Sequence, residues 1–311
     1  YGKGLFRLAF FAIAVGSVVG AAAAYGGKGS VAAQIAMADS FGLIGAIDSL
    51  INGWVVVGAG MLFAAYVGAQ CTRRATLLTL AIAVLGEALG AYFTQKTAPL
   101  FAFITFLVMM AVLLGVVRPR VILVGILAAL LLWPVVFEMR NQLRVDQGVA
   151  VSDAVTAFDR LRFDLQFARG AELEAPLDID VPGFLQNPTP IDILRYGTIP
   201  RFLDPDRDLV STGQVINVAL GGTVTSAYNF GPVTTAYVLE GPVYLFVYYF
   251  LLAAFFGVVW QRGTRITPMR TALIALILSG PLGWFSTFPD TVIGLLQSLV
   301  SAVPLLVILP L

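Results

Sequence analysis

Residues 77–93 read LLTLAIAVLGEALGAYF, a run in which Glu87 is the only charged side chain. A helix needs roughly 20 mainly apolar residues to cross a bilayer core, so this run predicts a transmembrane helix. A carboxylate at that depth costs free energy unless it faces a partner or a water-filled cavity. Glu87 is therefore a candidate substrate-binding residue, the alternative being a Glu that a neighbouring helix satisfies.

Comparable apolar runs occur on both sides of residues 77–93. The chain has 311 residues, of which 59% are hydrophobic and 12% charged, about half the charge of a soluble domain. We therefore expect an all-α polytopic membrane protein with about eight transmembrane helices. The last two runs are separated by Pro289 and Asp290 and could form a broken or re-entrant pair. The eight runs are 5–25, 50–69, 77–93, 100–117, 121–137, 242–260, 271–288 and 291–311.

The first run is long enough to span, so no cleavable signal peptide is expected. The chain opens at Tyr1, which leaves open whether native N-terminal residues, even whole helices, precede it. Basic residues in short loops mark the cytoplasmic side. One set of alternate loops holds nine of them and the opposite set two, Lys28 and Lys96, which predicts a cytoplasmic N-terminus. The nine are Lys3, Arg7, Arg73, Arg74, Arg118, Arg120, Arg262, Arg265 and Arg270.

This orientation divides the chain into three parts: helices 1–5 in residues 1–137, an extracytoplasmic loop domain in 138–241, and helices 6–8 in 242–311. The loop is too long for an idle connection and is predicted to be mostly helical. Ser152 is predicted to cap a helix that ends at Gly170, and Thr189 with Pro190 to open a second. In the first outer loop, residues 31–48 are amphipathic and predict a helix along the membrane surface.

The residue types limit the chemistry. The chain has no histidine, the commonest general base and metal ligand, so catalysis would depend on carboxylates, Arg, Lys, Tyr or backbone groups. We expect no metal and no cofactor. A net charge of +1 provides no field that would attract nucleic acid.

Polar residues concentrate in 195–241, which is the candidate site. Arginine offers phosphate a planar fork of donors, so a diphosphate site is one interpretation. The other is an outer domain folded by Arg–Asp pairs, which the DPDRD run at 204–208 would supply unaided. The residues are Arg195, Arg201, Arg207, Asp204, Asp206, Asp208, Glu240 and the step Tyr228-Asn229-Phe230-Gly231.

Two elements in this stretch resemble a known family. IPRFLDPDRD at 199–208, preceded by Arg195 and Tyr196, and TSAYNFGPVTTAYVLEGPVYLFVYY at 225–249 are similar to the large periplasmic loop and re-entry helix of Wzy-type O-antigen and exopolysaccharide repeat-unit polymerases. That family has a Pro-Arg element and a later Asn-Phe-Gly element. The resemblance covers about 50 residues, and family members commonly have ten or more spans.

The resemblance implies metal-independent transfer of a growing glycan from one polyprenyl diphosphate carrier to a second carrier-linked repeat unit, at the periplasmic face of the bacterial inner membrane. Fixed cations would stabilise the leaving diphosphate. A carboxylate would orient or deprotonate the acceptor hydroxyl. Expected partners are the lipid-linked oligosaccharides, the bilayer, and chain-length regulator and flippase proteins.

The candidate residues then fall into two groups. The catalytic candidates are Arg201, Arg207, Asp204, Asp206 and Glu240. The substrate-binding candidates are Arg195, Tyr196, Tyr228, Asn229, Phe230 and Glu87, with ordinary packing as the alternative for the aromatic residues.

Three other classes compete with a polymerase. A transporter or flippase for lipid-linked oligosaccharide would also have many spans and an intramembrane Glu87. A non-catalytic assembly subunit would use the outer loop to bind partners. An O-antigen ligase is a near relative in chemistry, but ligases resemble one another in using a loop histidine, which this chain lacks.

Overall fold

The fold was taken from a computed structural model. It describes the chain outside the two termini and several internal segments, and no strand occurs in the part described. Phe184 and Leu209 form an isolated bridge. The described residues are 4–29, 42–146, 163–173, 175–185, 188–204, 206–224, 227–228, 232–260, 266–280 and 289–308.

The described part consists mainly of α-helices. In chain order they are α1 Gly4–Tyr25, α2 Gly42–Ile51, α3 Trp54–Val67, α4 Arg73–Thr94, α5 Ala98–Leu113, α6 Pro119–Asp146, α7 Phe163–Ala171, α8 Pro190–Thr198, α9 Thr212–Ala219, α10 Pro232–Val259, α11 Pro268–Ser279 and α12 Asp290–Leu306. The predicted all-α class is thus confirmed for these residues.

Five helical segments are long and apolar enough to cross a membrane. They are Gly4–Tyr25, Gly42–Val67, Arg73–Thr94, Ile122–Gln142 and Gly241–Val259. The remaining three predicted spans coincide with shorter apolar helices, α5, α11 and α12, of 16, 12 and 17 residues. At 1.5 Å per residue these are about 24, 18 and 26 Å long, less than the roughly 30 Å of a bilayer core. Membrane-spanning helices are therefore supported, and a count of eight is not established.

The helix α11 illustrates the difference. The run 271–288 predicts a full span, but the helix ends at Ser279, directly before Gly280. Residues 281–288, with Pro281 and Gly283, lie outside the described ranges. The predicted span is matched over its first half only.

The helix α2 differs from the surface helix predicted at 31–48. Residues 31–41 lie outside the described part, and 42–51 continue through a short turn into α3 as one apolar segment. The turn at Gly53 stays inside the bundle because its N–H donates to Ser301 Oγ of α12 at 2.8 Å. Trp54 Nε1 donates to the Ser301 carbonyl, also at 2.8 Å. A break in the helix is tolerated there because a neighbouring helix satisfies the freed backbone group.

One hydrophobic core joins α1, α3, α4, α5, α11 and α12. Small residues allow its helices to approach closely. A Cβ placed on Gly60 of α3 would lie 2.7 Å from the Thr271 carbonyl of α11. A Cβ placed on Gly86 of α4 would lie 2.6 Å from the Cβ of Ser17 in α1. The glycines therefore set the distances between these helices.

The described residues between α6 and α10 form small cores of their own around α9. Val215 packs with Val181 and Phe184, and Ile216 packs with Val238 of α10. The helix α10 changes conformation at Gly241, where φ is 81° and ψ is 179°, directly before Pro242. That backbone state favours glycine, because other residues rarely adopt a positive φ there. The break lies where the predicted loop meets the predicted span.

Candidate functional site

The candidate site is built around the C-terminal end of α8. Thr189 caps this helix as predicted: its hydroxyl accepts from Asp192 N at 3.2 Å, and the Asp192 carboxylate accepts from Thr189 N at 2.9 Å. The side-chain and backbone hydrogen bonds from Thr189 lower the pKa of Asp192. This reciprocal capping box fixes the start of a nine-residue helix whose last turn carries Arg195.

Arg195 is engaged by an acid. Its Nε donates to Asp204 Oδ2 at 2.8 Å and its Nη2 to Asp204 Oδ1 at 2.6 Å. The hydrogen bond from Arg195 lowers the pKa of Asp204, and the same hydrogen bond raises the pKa of Arg195. The two-pronged pair closes the turn between α8 and the 3₁₀ turn Arg201–Leu203. A lowered pKa disfavours Asp204 as a general base, because the acid holds protons weakly.

Arg207 lies across the end of α8. Its Nη1 donates to the backbone carbonyls of Ile199 at 2.7 Å and Tyr196 at 3.3 Å. Its guanidinium carbon lies 5.1 Å from the centre of the Tyr196 ring. A cation at a helix C-terminus is favourable because the last carbonyls have no intrahelical donors. Hydrogen bonds to the carbonyls at the end of α8 therefore hold the Arg207 guanidinium in place.

Arg201 lies next to Arg207 and its Nη2 donates to the Arg207 carbonyl at 3.2 Å. The pKa of Arg207 is lowered, first by burial and then by the charge of Arg201, while the weaker influence of Asp204 raises it. The Arg207 Nε is buried and reaches no acceptor in the described ranges. The like charge therefore acts on Arg207 more strongly than the opposite one, and one of its donors is unused.

Tyr196 belongs to the interior of this site. Its residue surface is only 4% exposed. Burial raises the pKa of its hydroxyl, and the charge of Asp208 raises it further. A hydrogen bond with the Asp208 backbone lowers this pKa, but by less. The guanidinium carbons of Arg195 and Arg207 lie 5.9 and 5.1 Å from the centre of its ring. Tyr196 thus supports the arginines and does not present a free face to a sugar.

The site is attached to the last helix by residues that the sequence analysis did not single out. Gln297 Nε2 of α12 donates to the Tyr196 carbonyl at 2.9 Å. A Cβ on Gly197 would lie 2.5 Å from Leu296 Cβ, so α8 rests directly on α12. The Asp290 carboxylate accepts from the backbone N–H and hydroxyl of Thr212 at the start of α9. The only sequence signal for Gln297 is one amide in an apolar run.

The other predicted loop residues are distributed differently. Asp206 is exposed beside Arg207 and makes no ion pair with the residues described. Tyr228 packs against the Ile216–Val238 core, its N–H donates to Gly213 O at 2.8 Å, and the Arg169 guanidinium lies 5.3 Å from its ring. Asn229, Phe230 and the Glu240 side chain lie outside what the structure describes, as do Ser152 and Pro205.

Glu87 lies in a separate polar group. It follows Gly86, where α4 meets Ser17 of α1, and it is within electrostatic reach of Asp48 in α2. Asp48 Oδ2 accepts from Lys28 Nζ at 2.7 Å. Glu87 is thus placed near Asp48 of α2 and next to the Gly86–Ser17 contact with α1, whereas Arg207 donates to carbonyls at the end of α8. The predicted substrate-binding set is therefore divided between two places.

The described residues contain no group of three or more His, Cys, Asp or Glu side chains that would hold a metal ion. Comparison with known proteins finds no matching family model, no matching curated protein and no matching solved structure.

Proposed function

We propose that this protein polymerises polyprenyl-diphosphate-linked oligosaccharide repeat units into a surface polysaccharide. The observation that carries the proposal is the state of Arg207, which is partly desolvated, lies beside Arg201 and keeps a buried Nε without an acceptor in the described part. Two adjacent guanidiniums gain from an anion that compensates their like charges. Phosphate, like carboxylate, presents a pair of oxygens that the planar fork of arginine fits.

The proposed step is a glycosyl transfer. A hydroxyl oxygen of the acceptor repeat unit attacks the anomeric carbon of the donor glycan and forms the new glycosidic bond. The bond from that carbon to the diphosphate oxygen breaks, and the carrier diphosphate leaves with the electron pair. The acceptor proton passes to a carboxylate. No oxidant, nucleotide or metal enters this balance.

Seven of the candidates have a role in this scheme. Arg201 and Arg207 bind the diphosphate and stabilise the charge that develops on it. Among the predicted acids Asp206 is the one we assign as base, because Asp204 is bound by Arg195. Tyr228, Asn229 and Phe230 contact the sugars, and Glu240 is a second acid, directly before the break of α10 at Gly241.

The proposal extends to topology and setting. We assign eight crossings of the bacterial inner membrane, with residues 138–241 on the periplasmic side, from the distribution of basic residues. The attachment of α8 and α9 to the N-terminal half of α12 agrees with this, because that helix start would then face outward. Chain-length regulator and flippase proteins are the proposed protein partners.

The test uses purified protein with carrier-linked repeat units alone, without nucleotide sugar or added metal. Wild type should lengthen them. Arg207→Lys keeps the charge but loses the fork, so elongation should fall about a hundredfold, the size expected for one charge-assisted transition-state contact. Arg201→Lys should act in the same direction.

The matched control is Arg140→Lys. Arg140 also lies over an aromatic ring, with its guanidinium 4.2 Å from the centre of Phe137, but it is remote in sequence from the site. It should elongate at the wild-type rate. Wild-type elongation by both Arg201→Lys and Arg207→Lys would refute the diphosphate role, and an inactive wild type would refute the polymerase.

A transporter for lipid-linked oligosaccharide is the second candidate, favoured by the polar group of Lys28, Asp48 and Glu87 among apolar helices. Its test is movement of a fluorescent lipid-linked oligosaccharide across liposomes. Movement without elongation, lost in Glu87→Gln, would support the transporter. Absence of both activities would leave the assembly subunit.

A further inference from the structure

One hydrogen bond connects the arginine site to the interior of the last apolar helix. Gln297 lies in the second turn of α12 and its Nε2 donates to the Tyr196 carbonyl, 101 residues away in sequence. An amide in an apolar helix costs free energy unless it is hydrogen-bonded. The Tyr196 carbonyl is therefore a specific acceptor for this side chain.

The same carbonyl also accepts from Arg207. The Nη1 of Arg207 lies 3.3 Å from it, and a carbonyl oxygen has two lone pairs and accepts two donors. Gln297 and Arg207 thus meet on one oxygen. A displacement of that oxygen along α12 would displace the guanidinium with it.

Neighbouring contacts leave little freedom for such a displacement in wild type. Leu296, the residue directly before Gln297, packs against Gly197 of α8. Asp290, about two helical turns before Gln297, accepts a hydrogen bond from Thr212 N. The hydrogen bond from Gln297 adds a directional contact to this packing, and it is made to a carbonyl in the last turn of α8.

We propose that Gln297 is a positioning residue that sets the location of the Arg207 guanidinium through the Tyr196 carbonyl. The reaction that this affects is the one under "Proposed function", on which the inference rests. Gln297 touches none of the reacting atoms. It acts on the transition state by keeping the fork of Arg207 aimed at the leaving diphosphate, and misplacement of such a group lowers rate even when binding survives.

The experiment removes the donor and keeps the shape. Gln297→Met has similar length and no N–H, and the Tyr196 carbonyl retains Arg207 as a donor. We expect kcat for elongation to fall about tenfold, the loss expected for one hydrogen bond felt in the transition state, with KM nearly unchanged.

The matched control lies in the same helix. Ser301→Ala removes the acceptor of Gly53 N, a contact between α12 and α3 that does not reach the loop. It should lower the melting temperature at least as much as Gln297→Met and leave kcat near wild type. A drop in kcat equal to that of Gln297→Met would show that any loosening of α12 suffices, and would overturn the inference.

A double-mutant cycle tests whether the effect passes through Arg207. In an Arg207→Lys background, Gln297→Met should change kcat by less than about twofold, because residues that act through one another are not additive. The same tenfold drop in both backgrounds would overturn the inference.

A readout without turnover separates this inference from the proposed function. Modification of Arg207 by an arginine-specific dicarbonyl reagent, followed by peptide mass spectrometry, should become about fivefold faster in Gln297→Met and stay unchanged in Ser301→Ala. If wild type does not elongate the repeat units, the proposed function fails. The modification rate of Arg207 then decides by itself whether Gln297 positions its guanidinium. An unchanged rate in Gln297→Met would refute it.

Discussion

Arg195 and Asp204 are nine residues apart and share two hydrogen bonds, from Nε at 2.8 Å and from Nη2 at 2.6 Å. This pair gives Asp204 a structural role in the site. The hydrogen bonds of Arg207 among the described residues are therefore made to backbone carbonyls and not to Asp204. Because the Arg195 side chain is 47% exposed, solvent screens the pair and its contribution to stability is small.

The first prediction is the pH dependence of this pair. Arg195 lowers the pKa of Asp204 in the folded chain, so the pair stabilises fully above the unfolded value of about 3.9 and is lost as pH falls through the lowered folded value. Asp204→Asn should therefore melt below wild type at pH 6, with the difference narrowing from about pH 4 downward. Melting curves from pH 6 to pH 3 measure this.

Asp178→Asn is the control, since Asp178 is exposed and makes no ion pair with the described residues. Its curve should run parallel to wild type. A difference between Asp204→Asn and wild type that stays constant or widens toward pH 3 would contradict the ionic pair.

The second prediction concerns the contact between α1 and α4. A methyl on Gly86 would lie 2.6 Å from Ser17 Cβ and 2.9 Å from its Oγ, so Gly86→Ala must separate the helices and should destabilise by about 1–3 kcal/mol. Gly90, one turn later in α4, has no atom within 4 Å of such a methyl. Gly90→Ala should be neutral or stabilising by up to about 1 kcal/mol. Equal melting temperatures for the two variants would refute this packing.

The third prediction is the side of the membrane on which the loop lies. In a Cys71→Ser background, Glu172→Cys should react with a membrane-impermeant thiol reagent on intact spheroplasts, because Glu172 is exposed after α7 in the proposed periplasmic segment. Arg73→Cys, exposed at the start of α4, should react only after lysis. The reverse pattern would invert the topology and place the arginines in the cytoplasm.

The fourth prediction is the attachment of α9 to α12. The Asp290 carboxylate accepts from both the N–H and the hydroxyl of Thr212. Asp290→Ala should destabilise by about 2 kcal/mol, because it removes the acceptor of buried donors and a negative charge at a helix N-terminus. Asp290→Asn keeps one acceptor oxygen, so its free energy of unfolding should lie between those of wild type and Asp290→Ala. Hydrogen exchange of α9 should accelerate in the same order, and unchanged exchange in Asp290→Ala would contradict the attachment.

Local signals predicted much of the fold. The apolar run 5–25 predicts α1 at Gly4–Tyr25, and Thr189 with Pro190 predicts α8 with its cap. Both depend on residues within one or two turns. The length of α11 could not be predicted, because whether a helix continues through Gly280 and Pro281 depends on tertiary contacts.

The site was harder to predict than the helices. The DPDRD run at 204–208 favours pairing of its own Arg207 with the adjacent acids. The structure instead pairs Asp204 with Arg195, because the turn after α8 brings residue 204 back beside it. The contacts of Gln297 and Asp290 link segments 101 and 78 residues apart. No local pattern contains such contacts, since they arise only when α12 packs against the loop.

The close approach of Gly197 to Leu296 has a consequence for sequence variation. A side chain at position 197 would collide with Leu296 at 2.5 Å, so the two positions form one steric unit although 99 positions separate them. In diverged homologues we expect them to covary, with glycine kept at 197 wherever the residue at 296 carries a Cβ, and a larger residue at 197 tolerated only beside glycine at 296. That pairing is a coevolutionary signature by which distant members of this lineage can be recognised.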